Sequence, residues 1–231
     1  MRKFVLLFIA LGFFETGFSQ TGNELLQAVR KKLEKVNDYT ANGKLKTNVV
    51  FIKAPVASVK IFYKKPDKMK IVNESGISFI PKGSVNINLN KFFTAAGKYE
   101  IIDAGKDAVT GFRILKLLPS DEESDIVLAT LYIDEKTELV QKAKNTTRDN
   151  GTYELEMTYG QYADYALPDK VFFSFNTKDY KLPKGVTFDY EDGSKTKTKE
   201  EIKNKKGKVE ITYSSYTVNK GIDDKIFAVE K

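Results

Sequence analysis

Between residues 128 and 175, hydrophobic and polar positions alternate through LATLYIDEKTELVQKAKNTTRDNGTYELEMTYGQYADYALPDKVFFSF, with short polar stretches between the runs. The pattern is clearest where Tyr153, Leu155, Met157 and Tyr159 interleave with Thr152, Glu154, Glu156 and Thr158. A period of two puts the first set on one face of a strand and the second on the other, so one face is apolar and one is wet. The segment predicts four consecutive strands joined by short turns. The apolar face is built from large, adaptable side chains, and strands of this kind are expected to curl into a sheet with a hydrophobic concave side.

Upstream the period changes. In 23–37, NELLQAVRKKLEKVN, Leu25, Leu26, Val29, Leu33 and Val36 fall on one helical stripe while Arg30, Lys31, Lys32, Glu34 and Lys35 fall elsewhere, which predicts an amphipathic helix. Asn23 is the expected N-cap, and Asn37-Asp38 the stop. The apolar stripe suits a lid over the mouth of a curved sheet and a permanent plug equally well. From Tyr39 onward alternation resumes. Val59, Ile61 and Tyr63 alternate with Lys60, Phe62 and Lys64, and the turn Lys65-Pro66-Asp67-Lys68 leads into a strand over 69–72. Further strands are expected in 73–104, 112–118, 126–133 and 139–145, with Asp149-Asn150-Gly151 as a tight turn. The run 126–133 is apolar on both faces, so it is expected to be covered on both. After Leu167-Pro168-Asp169-Lys170 comes a strand over 171–175, and then a hairpin whose tip carries seven lysines between Lys195 and Lys208. That tip reads as a basic finger for an anionic partner or as a solvated, aggregation-resistant edge. Ile222 and Phe227 are expected to pack the C-terminal turn against the end of the sheet.

Composition narrows what such a sheet could do. Of 231 residues, 41% are hydrophobic and 30% charged, enough apolar material for a core and no signature of disorder. Cys, His and Trp are all absent, which removes the thiol nucleophile, the imidazole base and the usual zinc or haem ligands, so no cofactor or metal is expected. Lipidation through an N-terminal lipobox cysteine is excluded too. Arg2 and Lys3, the apolar run 4–14 and Gly17-Phe18-Ser19 form the three regions of a secretory signal peptide, with cleavage expected after Ser19. The run is too short for the ~20 residues a membrane-spanning helix needs. The expected organisation is therefore a signal peptide over 1–19 and a single domain over 20–231. Export makes nucleic acid an unsuitable partner for the net charge of +7.

The candidate site is the apolar side of the strands: Ile61, Tyr63, Met69, Ile71, Tyr132, Tyr153, Leu155, Met157, Tyr159, Phe173 and Phe175. Methionine and aromatic side chains suit a hollow that repacks around variable ligands, although apolar strand faces also simply fill cores. Acidic clusters at Asp121-Glu122-Glu123 and Asp223-Asp224 are the only candidates for carboxylate catalysis. Both fall in expected loops, where adjacent acids are usually solvated, and no enzyme is expected.

Four stretches, LLQAVRKKLEKVNDYTANGKLK, KIFYKKPDKMKI, LYIDEKTELVQKA and YGQYADYALPDKVFFSF, resemble in order and spacing the outer-membrane lipoprotein-sorting family, the LolA/LolB-like periplasmic carriers of Gram-negative bacteria. The resemblance implies a mainly β (α+β) fold, an unclosed antiparallel β-barrel with the N-terminal helix (Leu25, Leu26, Val29, Leu33, Val36) over its concave side. It also implies a monomeric periplasmic protein that binds acyl chains of lipoproteins or lipids between sheet and lid, receives them from an inner-membrane donor and releases them to an outer-membrane acceptor. A non-transport lipid sensor or envelope scaffold on the same sheet is the alternative.

Overall fold

The computed structural model describes residues 21–49, 52–53, 56–75, 99–120, 124–148, 151–176 and 206–228. The expected signal peptide, most of the stretch 73–98, the Asp121-Glu122-Glu123 cluster, the Asp149-Asn150 turn and the lysine-rich tip up to residue 205 lie outside them.

A helix α1 (Gly22–Glu34) precedes strands β1 (Asp38–Val49), β2 (Ile52–Lys53), β3 (Ala57–Lys64), β4 (Lys68–Ser75), β5 (Tyr99–Lys106), β6 (Arg113–Pro119), β7 (Ile126–Asp134), β8 (Leu139–Thr147), β9 (Thr152–Thr158), β10 (Lys170–Asn176) and β11 (Lys206–Val218). The helix starts two residues earlier than Asn23 would set it. Thr21 is the cap: its hydroxyl accepts from the Glu24 N–H, and Glu24 Oε2 accepts from the Thr21 N–H at 2.9 Å. This reciprocal pair satisfies two donors that the first turn leaves open.

All pairings are antiparallel, in the order β4-β3-β1-β11-β10-β9-β8-β7-β6-β5, with the short β2 beside β1. From β5 to β11 the order follows the chain. The terminal strands then zip together, Tyr39–Asn48 against Val218–Lys208, so β3 and β4 continue the sheet beyond β1. Among the described residues the order ends at β4 on one side and β5 on the other, with no pairing between these two edge strands. The barrel is therefore unclosed.

One face of this sheet is the core. Strand β3 alternates buried and half-buried along its whole length, and Val59, Ile61, Leu115, Leu131, Leu155 and Phe173 are almost fully buried. The stripe of α1 joins the same cluster through Leu25, Leu26, Val29, Leu33 and Val36. Burying side chains of this size contributes about 1.5–3 kcal/mol each, which outweighs the modest helix propensity of a 13-residue segment. The opposite face is wet and charged: Lys142 lies 3.3 Å from Glu154, and Lys170 lies 2.9 Å from Glu210.

Strand β7 departs from expectation. Ala129, Leu131 and Ile133 are buried, whereas Leu128, Thr130 and Tyr132 are only half-buried and Val127 is 37% exposed. Among the described residues no layer covers its outer side. The run tolerates this because Thr130 and Tyr132 each carry a polar group that can reach water.

Candidate functional site

The antiparallel order sorts the connections by end. The turns β3–β4, β5–β6, β7–β8 and β9–β10, the start of β1 and the tail after β11 gather at one end, and α1 lies among them. At ~1.5 Å per residue a 13-residue helix is about 20 Å long. Its first residue, Gly22, lies so close to β5 and β6 that an added Cβ would fall 2.8 Å from Leu115 Cδ2 and 3.0 Å from Asp103 Oδ2. Only a residue without a side chain permits that approach.

The other end of α1 is tied to the β3–β4 side. Lys65 Nζ, in the β3–β4 turn, donates to the Glu34 carbonyl at 2.6 Å, and Lys32 Nζ donates to the Thr137 carbonyl of the β7–β8 turn. Asn219, just past β11, uses both ends of its amide: Nδ2 donates to the Lys35 carbonyl at 2.7 Å, and Oδ1 accepts from the Asn37 N–H at 2.7 Å. Asp38 Oδ1 accepts in turn from the Lys220 and Gly221 N–H groups. The helix thus contacts both the β5–β6 side and the β3–β4 side at this end of the sheet.

Beneath its C-terminal half lies a cluster of tyrosines. Tyr39 sits 5.2 Å from Tyr63 and 5.4 Å from Tyr216, and Tyr216 lies 5.0 Å from Tyr162 and 5.1 Å from Tyr213. Their hydroxyls reach backbone carbonyls, Tyr216 to Pro168 at 2.7 Å and Tyr162 to Tyr216 at 3.2 Å. Tyr159 likewise donates to the Val140 carbonyl at 2.8 Å. Burial pushes the Tyr39, Tyr159, Tyr213 and Tyr216 phenols well above their ordinary value, so they remain neutral donors.

The expected lining residues come together on the inner face with one exception. Ile61, Tyr63, Leu155, Met157, Phe173 and Phe175 are buried, and Met69, Ile71, Tyr153 and Tyr159 pack against them half-buried. Tyr153, Phe173 and Phe175 form a run of rings 5.3 and 5.4 Å apart. Tyr132 is the correction. It lies on the outer face, where Lys142 Nζ sits 5.8 Å from its ring centroid, because its neighbours Leu131 and Ile133 are the ones turned inward.

Farther from the helix the inner face changes character. Ala57, Ala129 and Ala143 are fully buried small residues of the wall, and Gly207 lies under the Phe175 ring, which an added Cβ would meet at 2.4 Å. Two polar side chains lie among these groups. Asn145 is 0% exposed and Thr47 6%, and Asn145 Nδ2, Asn145 Oδ1 and Thr47 Oγ1 complete no hydrogen bond of ordinary geometry. Each such group costs about 1–3 kcal/mol if left unsatisfied. Beside Asn145, burial pushes the Tyr153 phenol up to about 12, a rise that the amide partly offsets. Alternation alone did not single out Asn145 or Thr47; the usable signal was a polar residue at an inward position of an otherwise apolar set.

The remaining acidic pair has structural roles. Asp223 caps the short turn Asp224–Phe227, and Asp224 Oδ1 lies 2.9 Å from Lys64 Nζ and 3.0 Å from Lys68 Nζ. Among the described residues no group of three or more acidic side chains could hold a metal ion, and no helix is long and apolar enough to cross a membrane.

Proteins of solved structure share this fold. The chain superposes on a LolA superfamily protein from Nitrosomonas europaea with a TM-score of 0.59, at 10% identity, over 91% of this chain and 99% of that one. A domain from Vibrio parahaemolyticus described as an outer membrane lipoprotein-sorting protein gives 0.56 at 10% identity, over 88% and 94%. A DUF1329 family protein from Desulfovibrio piger gives 0.53 at 12%, over 91% and 98%. At these identities the likeness is one of fold. No family model matches the sequence, and comparison with curated proteins gives no significant match.

Proposed function

We propose that this chain is an exported carrier, active in the periplasm as a monomer, that shields the acyl chains of lipoproteins or lipids between a donor at the inner membrane and an acceptor at the outer membrane. The observation that carries the reading is the pairing of an apolar inner face with an apolar helix stripe across a sheet that does not close. A hydrocarbon chain leaves water at about 0.8 kcal/mol per methylene, so a 16-carbon chain needs shelter worth roughly 12 kcal/mol. At its C-terminal end α1 is held by the Lys65, Lys32 and Asn219 bonds, whereas at its N-terminal end Gly22 rests on Leu115 and Asp103 by packing. Lifting the Gly22 end while the Lys35 end stays tied opens the hollow toward β5 and lets neighbouring inner-face residues separate around a chain. Nothing in the reading requires a bond to be made or broken, and the neutral, backbone-bonded tyrosines fit that.

The test is lipid analysis of protein purified without detergent from its native envelope, together with uptake of a fluorescent fatty acid by the delipidated protein. The expected result is a co-purifying acylated species and saturable uptake, which Leu155→Glu abolishes while the far-ultraviolet circular dichroism is kept. Absence of both lipid and uptake in the unaltered protein would sink the carrier reading.

A further inference from the structure

The inner face remote from α1 is not uniformly apolar, and two polar side chains that complete no hydrogen bond of ordinary geometry, Asn145 beside the Tyr153 phenol and Thr47, sit at related positions. Asn145 is two residues from the end of β8, and Thr47 two from the end of β1. Both strands run away from the helix. Following the ladder, Asn145 lies level with Tyr153, Phe175 and Gly207, and Thr47 lies level with Val209, Phe173 and Leu155. The two rows are neighbouring inward rungs, since Phe173 and Phe175 are successive inner residues of β10. Asn145 therefore belongs to the wall formed by β7, β8 and β9, and Thr47 to the wall formed by β11 and β1, with small residues and aromatic rings between.

We propose that Asn145, assisted by Thr47, forms an uncharged polar station inside the hollow that takes the ester carbonyl or hydroxyl of an acylglycerol, so the preferred ligand is an acyl ester rather than a bare hydrocarbon or a free fatty acid. The proposal rests on the carrier reading and adds the chemistry of the ligand's polar end. A carboxamide offers two donors and two acceptor lone pairs, and a hydroxyl offers one donor and two. Together they can satisfy a group that both accepts and donates, as a glyceride's ester and free hydroxyl do. A carboxylate fits poorly, because no inward side chain on these two rungs carries a positive charge among the described residues, and an uncompensated buried charge is disfavoured far more strongly than a neutral dipole. Pure hydrocarbon would leave Asn145 and Thr47 as unsatisfied as they are without ligand.

The experiment uses the delipidated mature protein with an apolar naphthylamine dye to report the hollow, and monolaurin or laurate to displace it. Unaltered protein is expected to bind the dye and to prefer monolaurin to laurate. Asn145→Leu, which removes the amide at nearly constant volume, should bind the dye as before, unfold at the same or a higher temperature, and lose roughly five- to tenfold in monolaurin affinity, with Thr47→Val losing less in the same direction. In unaltered protein the Asn145 side-chain NH2 resonances should shift on addition of monolaurin and stay in place with the dye. The resonance measurement stands even where a variant folds poorly. Monolaurin affinity unchanged in both variants, or no movement of the Asn145 NH2 signals, overturns the station and leaves the carrier reading intact. Failure of the unaltered protein to bind dye and monolaurin alike overturns both.

Discussion

Asn219 is a single side chain on which the seating of α1 depends, and its replacement gives a worked prediction. Its φ of 56° is in the left-handed region, which costs an ordinary L-residue about 1 kcal/mol or more and is least unfavourable for Asn and Gly. Its amide makes two short bonds of 2.7 Å, to the Asn37 N–H and the Lys35 carbonyl, each contributing about 0.5–1.5 kcal/mol net. Asn219→Ala loses both bonds and keeps the strained conformation, for a cost of about 2–3 kcal/mol. Asn219→Gly loses the bonds but relaxes the strain, so about 1–2 kcal/mol is expected. For a chain of this size 1 kcal/mol corresponds to roughly 2–4 °C in melting temperature, so alanine should lower it by about 4–12 °C and glycine by visibly less. Urea denaturation gives the energies, and amide exchange along α1 locates them, with faster exchange expected in the last turn of the helix. An alanine variant within 0.5 kcal/mol of the unaltered protein, or glycine equal to alanine, would refute the argument that bonding and backbone strain act separately here.

Two further outcomes follow from the same geometry. Phe173→Ala, removing a ring that is 2% exposed and stacked between Tyr153 and Phe175, should cost about 3–5 kcal/mol in urea, whereas Tyr132→Ala on the outer face should cost under about 1 kcal/mol beyond its loss of strand propensity; similar costs at both would contradict the assignment of faces. Arg113, hydrogen-bonded to Asp103 at 2.7 Å, holds that carboxyl below its ordinary 3.8. Its stabilising contribution is then fully present above that value and fades as pH falls through the lowered folded value, so Asp103→Asn should destabilise the protein at pH 6 and lose less than the unaltered protein on acidification to pH 3, read by urea midpoints at each pH.

Much of the fold can be read from the chain because it depends on short-range periodicity. The switch from a 3.6 to a 2.0 period at Tyr39 separates α1 from the sheet, and the alternation at β3 and β9 assigns inner and outer faces correctly. Parity fails where both sets are apolar. In LATLYID either Leu128, Thr130 and Tyr132 or Ala129, Leu131 and Ile133 could turn inward, and packing against β6 and β8 chooses the second set. The sequence signal for the N-cap is Thr21 and Glu24, a T-x-x-E spacing whose two reciprocal bonds outrank the single cap that Asn23 offers. Which residues share the inner face was legible for the same reason as the strands, whereas the lack of ordinary hydrogen bonds at Asn145 and Thr47 depends on what surrounds them in three dimensions.

The sequence by itself determines the local elements, the apolar face and the absence of thiol, imidazole and indole chemistry, since these depend on residue identity and near neighbours. Tertiary structure alone decides that β1 zips to β11, that β4 and β5 are the edge strands among the described residues, and that α1 contacts both sides. The β1–β11 pairing and the bonds of Asn219 with Lys35 and Lys32 with Thr137 join residues more than a hundred positions apart. Their stability comes from closing a shared core, and no local pattern encodes which two edges are left unpaired.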